Sequence, residues 1–365
     1  MSVFSGSYHA DDVVFLLKPI DFPHVSIEQK ERLIQSGEYH YSQLLSEELP
    51  HDEFRQNEFF QTCFRNSEYI ANGIFYLAHY INMLHKGQIV LISLVRAGTP
   101  IGALLCRCLK RFFGRRVFHY SISIIRDRGI DKNAIRWILD RHASEDIHFI
   151  DGWSAKGSIA LELKKSIFEI NEEWNTNISH KLFVLNDLCG NADVSFSLAD
   201  TLIPSAMLNS TVSGLVSRSI LDDRFIGPND FHGVVFYSQF LRYDLSNWFL
   251  DEIFKKIEFL ELKNKLLSCP TYICCMDSDK NNSLFDIRRK YIHTLADNIP
   301  SNRIKPGICE SIRAILRRNW NYLLINNQSN IDLQPILRLA KIKNMKVIEN
   351  GVLPFQAISI SDTPK

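Results

Sequence analysis

The sequence predicts an α/β protein built on a parallel, doubly wound sheet. Apolar, β-branched runs recur at 89–95, 117–125, 147–151 and 181–185, each followed by a turn-like loop and then by residues apolar at helical spacing. The chain is 365 residues long and 45% hydrophobic, which excludes a disordered chain and suits two or three domains. Forty-two Lys and Arg against 41 Asp and Glu leave a net charge of +1. That balance excludes binding of nucleic acid by bulk charge, but not by a local basic face.

Residues 1–86 read as polar-faced helices, a helical hood over the sheet. IVLISLV (89–95) runs through RAGTP into the helical pattern IGALLCRCLKRFF. VFHYSISII (117–125) is the next strand, RDRGID a loop, and Ile135, Ile138 and Leu139 mark a helix. IHFID (147–151), GWSAKGS and IALELKKSIFEI repeat the unit, and KLFVL (181–185) is a fourth strand. VVFYSQFL (234–241) is expected to add a strand and 245–267 a long amphipathic helix, closing an α/β domain over 87–267. Residues 268–300, polar and rich in Asn and Asp around 277–283, read as a linker. A module over 301–365 follows: helix 308–318, strand YLLIN, helix LQPILRLAKIK and strand MKVIE. It carries ten Lys and Arg against four acids, so the first 300 residues carry about −5. Such asymmetry fits a module that meets an anion, RNA among them, and equally a solvated basic face.

No apolar run reaches the roughly 18 residues of a membrane span, and the N-terminal residues lack a signal-peptide pattern. Eight cysteines show no disulfide-framework spacing. A reduced, cytoplasmic protein without membrane contact is expected.

In such sheets ligands bind beyond the C-terminal strand ends. IDGWSAKGS (150–158) offers successive backbone N–H groups at a helix start, with Lys156 adding charge. Asp151 suits sugar hydroxyls, or a divalent metal held through water. The glycine spacing is not that of a Walker A loop, and an ordinary βα turn fits equally well.

The order of strand, acid, short loop, Gly and helix resembles the phosphoribosyl-pyrophosphate loop of type I phosphoribosyltransferases. LISLVRAGTPIG (91–102) resembles their pyrophosphate loop, and RDRGID (126–131) falls at their mobile flap. More specifically, SGSYHADDVVFLLKP, IQSGEYHYS, DGWSAKGSI, IPSAMLNSTVSGLVSRS and FHGVVFYSQFLRYDLSNWF resemble the StiP family of stress-associated bacterial proteins, over about residues 1–260. Its genes lie near tellurite-resistance genes. The resemblance implies a phosphoribosyltransferase-like sheet and transfer of a sugar phosphate to a nucleobase-like or RNA-linked acceptor. It assigns the pyrophosphate, with Mg²⁺, to Arg96, Ala97, Gly98 and Thr99 together with Arg126 or Arg128. Ser154, Ala155, Lys156, Gly157 and Ser158 take the 5′-phosphate, and Asp151 the ribose. One departure stands out: the usual loop has two adjacent acids, whereas Gly152 and Trp153 follow Asp151 here. Asn209, Ser210 and Thr211, in a stretch dense in small polar residues, read as an acceptor pocket or as turn caps.

The same family bears a cysteine-protease name, which requires a thiolate beside a His. Cys189 is the best-placed thiol, with His232 and Asp187 as conceivable partners. Cys106 and Cys108 sit on a packed helical pattern, and Cys274–Cys275 with His293 lacks zinc spacing.

Residues 303–349 resemble the pelota branch of the L7Ae RNA-binding family, which implies a small α/β/α domain. Its RNA-reading segment, Gly-x-Asn-Glu-x-x-Lys, corresponds to Gly307, Cys309, Glu310 and Arg313. Lys305, Arg317 and Arg318 extend the basic patch. A non-catalytic regulator, binding a nucleotide and contacting RNA, is the other class of function these features allow.

Overall fold

The computed structural model describes residues 3–266 and 279–361, without the side chains of 279–282. Cys269, Cys274, Cys275 and most of the first half of the expected linker lie outside the described residues. The main sheet comprises β1 (Val14–Phe15), β2 (Ile89–Leu94), β3 (Val117–Ile122), β4 (Ile147–Ile150), β5 (Leu182–Asp187) and β6 (Val194–Ser197). Their order is β1-β3-β2-β4-β5-β6, and every pairing is parallel. Trp153–Ser154 adds a short strand beside β5.

Helices cover both faces, which is why these strands read as continuous apolar runs. Along β2, Ile89 and Leu91 enter one core while Val90, Ile92 and Leu94 enter the other. That alternation is the two-residue period of a strand. The first core is covered by α2 (Glu53–Leu84), α3 (Gly98–Phe113) and α6 (Ser246–Leu262), which also pack on one another. The second is covered by α4 (Lys132–Leu139) and α5 (Ser158–Trp174). Gly98 starts α3 directly against the end of β4: a Cβ there would stand 2.4 Å from the Ile150 carbonyl oxygen.

Three expectations need correction. The longest element of the predicted hood is the 32-residue α2, whose face buries Phe59, Ile70, Ile74, Leu77 and Ile81 in the sheet's own core. Only the segment before it, with α1 (Ile27–Gln35), reaches over the strand ends. VVFYSQFL is not a regular strand: Gly233–Val234 pairs with Lys18–Pro19, and a 3₁₀ turn over Ser238–Tyr243 follows. The expected linker contains α7 (Asp279–Ala296), whose Phe285 and Ile292 are buried.

The C-terminal unit is a small α/β domain. Its strands are β7 (Ile304–Pro306), β8 (Tyr322–Ile325), β9 (Lys346–Glu349) and β10 (Ala357–Ile360), in the order β7-β10-β8-β9. Only β8 and β9 run parallel. With them pack α8 (Ile308–Arg317) and α9 (Gln334–Ile342).

The two units are docked by buried polar contacts. Asp200 accepts from the Ile308 and Gln356 backbone N–H groups, both at 2.8 Å. From α7, Arg288 donates to the Leu188 and Leu198 carbonyls at 3.0 and 2.8 Å and to that of Pro354 at 2.9 Å. Arg65 pairs with Asp332 at 3.2 Å, and Arg338 with Glu58. Among the described residues, no helix is long and apolar enough to cross a membrane.

Candidate functional site

A cleft of about 820 Å³ opens over the C-terminal ends of β2, β4 and the Ile124–Ile125 segment. Its walls are α1 and residues 37–43 on one side, the loop 153–160 below, and α8 with Lys305 opposite. The volume suits a ligand of nucleotide size.

Charge defines this cleft. Ten Lys and Arg side chains line it against four carboxylates. Arg313 is 9% exposed and lies 5.0 Å over the Trp153 ring; among the described residues its guanidinium has no hydrogen-bond partner or ion pair. Lys30, equally buried, and Lys305 likewise donate no side-chain hydrogen bond to a described residue. Burial, reinforced by Arg218, Arg318 and Arg317, pushes Lys30 down to about 6. Burial with Lys305 lowers Lys156 to about 7, and burial with Arg96 lowers Arg313 to about 10. Arg317 is depressed well below the usual arginine range by burial, Arg313 and Arg96. Cations withdrawn from water and crowded against each other are unfavourable unless an anion joins them.

The loop after β4 supplies the opposite pole. Gly157, at φ +79°, ends it in a left-handed turn and starts α5, whose first turn has no side-chain cap. Among the described residues no side chain caps its N–H groups, so they and the helix dipole stay open at the cleft wall. Lys156 donates to the Ser301 carbonyl, and the Trp153 indole N–H donates to Glu310 at 2.9 Å, so the loop is tied to the C-terminal domain. Asp151 accepts from the Gly152 N–H at 2.7 Å, and burial raises its carboxyl to about 7. Burial also acts on Glu310, but Lys305 and the Trp153 bond outweigh it and hold the carboxyl below its ordinary value.

The sequence-derived residues divide clearly. Arg126, Arg128, Asp151, Ser154, Ala155, Lys156, Gly157 and Ser158 line the cleft, as do Lys305, Glu310, Arg313, Arg317 and Arg318. Arg96 and Ala97 border it, but the Arg96 guanidinium is already engaged. It pairs with Glu48 at 2.8 Å and donates to the Val216 carbonyl at 3.1 Å. Arg96 thus braces the wall and is not free for pyrophosphate. Gly98 and Thr99 are packed inside, Thr99 sharing a 2.7 Å hydrogen bond with Ser121. Asn209, Ser210 and Thr211 stand behind the cleft and brace its wall, and the short turn they open has no side-chain cap from Asn209. Ser210 donates its N–H to Glu48, Thr211 bonds His51 at 3.0 Å, and Asn209 accepts from Arg96 and Arg317 at 3.4 Å. Gly307 rests on Leu188 and Asp200, away from the cleft.

No cysteine–histidine pair forms among the described residues. Cys189 is 1% exposed, and burial and Asp187 push its thiol up to about 12. His232 instead shares a 2.8 Å bond with Ser123, and its backbone N–H donates to Asp131. Burial raises Cys63, Cys106, Cys108 and Cys309 as well. Nor does any cluster of metal-ligating side chains form among the described residues. Asp151 lies within electrostatic reach of Arg313 and Glu310.

Sequence reasoning missed Lys30, Tyr41 and Arg218 as lining residues. Tyr41 accepts from the Arg126 backbone N–H at 2.8 Å, fixing the start of the loop 126–131. The motif IQSGEYHYS was the only signal that this segment mattered.

Fold and site together define a two-domain α/β protein with a cationic cleft where its domains meet. The chain belongs to the StiP family: the family model described as tellurite-like stress resistance cysteine protease StiP matches residues 6–254. A PELOTA RNA-binding domain matches residues 290–362, a span that includes the last seven residues of α7. The chain is similar to the protein named cysteine protease StiP of Acinetobacter baylyi, at 35% identity over 98% of this chain and 94% of that protein. Two solved aminotransferases are faintly similar. LysN of Thermus thermophilus aligns at TM-score 0.24 and 11% identity, covering 80% of this chain and 73% of its own. A multiple substrate aminotransferase of Thermococcus profundus aligns at 0.23 and 10%, covering 82% and 74%. Likeness at that level bears on neither fold nor activity.

Proposed function

We propose that the cleft binds a small, multiply charged phosphate ester of the sugar-phosphate or nucleotide class, and that phosphoribosyl transfer is the chemistry it serves. The supporting observation is the buried, unpaired Arg313, set among Lys30, Lys305 and Arg317 opposite the open first turn of α5. A guanidinium out of water asks for a planar, bidentate oxyanion partner. Asp151, at the strand end, accepts from a sugar hydroxyl as carboxylate and donates to one when protonated. The parallel sheet, with the loop placed beyond its strand ends, agrees with the phosphoribosyltransferase likeness. Any Mg²⁺ enters with the ligand's phosphates, since the described residues form no cluster of metal-ligating side chains.

The test is calorimetric titration of the full chain with phosphoribosyl pyrophosphate, with and without Mg²⁺, beside Lys156→Gln. Binding weakened at least tenfold by the substitution is expected. Absence of binding by folded protein refutes the proposal.

The name of the curated relative favours a second reading, peptide hydrolysis by a cysteine. The five described thiols argue against it, since burial keeps each protonated and apart from any His. A peptidase assay on single Cys→Ser variants of all eight positions decides the matter; activity lost in one variant establishes it. RNA contact, which the name of the C-terminal domain supports, is part of the proposal for that domain.

A further inference from the structure

The C-terminal domain turns its basic helix inward. Arg313, Arg317 and Lys305, the residues matched to RNA reading, line the cleft together with the loop 154–158 of the other domain. Arg313 is nine-tenths buried with no polar partner among the described residues, and Arg317 donates only one weak bond, at 3.4 Å to Asn209. The docking holds them there: Asp200 caps the start of α8, and Trp153 reaches across to Glu310. Two domains supply the charge: Lys156 and the uncapped α5 start come from one, the α8 cations from the other. A single phosphate ion fills a small part of about 820 Å³.

We propose that α8 is a ligand-binding element of the cleft, so that the site is complete only when both domains are docked. Its ligand carries two separately held anionic groups, as a pyrophosphorylated or bisphosphorylated sugar or nucleotide does. This inference rests on the reading of the cleft as a phosphate-ester site and adds the second pole and the domain that provides it. Bound ligand and RNA then compete for one face of the C-terminal domain.

The experiment titrates the full chain with inorganic tripolyphosphate and with inorganic phosphate, comparing wild type, Lys156→Gln, Arg313→Gln and Arg313→Lys. Tripolyphosphate is expected to bind at least tenfold more tightly than phosphate. Arg313→Gln should reduce tripolyphosphate affinity at least tenfold, and Arg313→Lys should restore part of it. The ligand-free Arg313→Gln protein should melt at or above the wild-type temperature, because burial and Arg96 disfavour the removed charge more than Glu310 and Asp151 favour it; this separates a binding role from a structural one. If Lys156→Gln loses binding while Arg313→Gln binds as wild type, the cleft stands and the α8 proposal falls. If wild type binds no tripolyphosphate, both fall. A hairpin RNA that binds wild type, is lost in Arg313→Gln and is not displaced by tripolyphosphate makes this face an RNA reader and also overturns the proposal.

Discussion

Replacing Asp200 should uncouple the two domains. Its carboxylate is 8% exposed and accepts two backbone N–H groups of the C-terminal domain, one opening α8 and one preceding β10, each at 2.8 Å. Gly307, the residue before α8, provides no cap of its own. Asp200→Ala leaves both donors buried without an acceptor. Each charge-assisted bond contributes about 1.5–3 kcal/mol, so the pair amounts to about 3–6 kcal/mol. Asp200→Asn keeps one acceptor and should lose about half of that. Urea denaturation followed by tryptophan fluorescence reads the change, because Trp153 and Trp320 both border the cleft between the domains. The C-terminal domain of Asp200→Ala should unfold at lower urea than the main sheet, splitting one transition into two. A single transition within about 0.5 kcal/mol of wild type refutes the docking argument.

Three further outcomes are expected. Glu48→Ala strands the Arg96 guanidinium, whose side chain is 3% exposed, and should destabilise by about 3–5 kcal/mol in thermal unfolding; an unchanged melting temperature contradicts the bracing role. Affinity for sulfate, a dianion throughout this range, should rise about five- to tenfold from pH 8 to pH 6 by calorimetry. Below about 7, Asp151 (raised) loses its negative charge and Lys156 (lowered) gains its positive one, so both changes favour an anion; a flat or opposite profile rejects this. Brief maleimide exposure of native protein, read by mass spectrometry, should leave Cys63, Cys106, Cys108, Cys189 and Cys309 unlabelled, since all five are buried.

The parallel sheet was legible because its central strands are β-branched and buried on both faces: the runs at 89–95, 117–125 and 147–151 contain β2 to β4, and 181–185 covers most of β5. The edges were not. Val14–Phe15 is two residues long and gives no period to detect, and Val194–Ser197 is half-buried and partly polar. Within the site, residues on strand-end loops could be named from local pattern. Lys30 and Arg218 could not, because only packing over long sequence separations brings them to the cleft. The same limit explains Arg96 and Asn209: nothing near them in sequence announces Glu48 or Arg317. Residues 308–318 were legible as a basic helix, while the direction that helix faces depends on Asp200, about a hundred residues earlier.

Arg288 has a consequence for how the chain is made. The carbonyls of Leu188 and Leu198 flank β6, and Arg288 is synthesised 100 and 90 residues after them. At about 5–20 residues per second, the ribosome leaves them waiting roughly 5–20 s for that partner. During this interval the far edge of the sheet carries polar groups that only the later domain will satisfy. The nascent sheet is therefore most open to mispairing and to chaperone capture along β5 and β6, and any truncation before residue 288 would make that transient condition permanent.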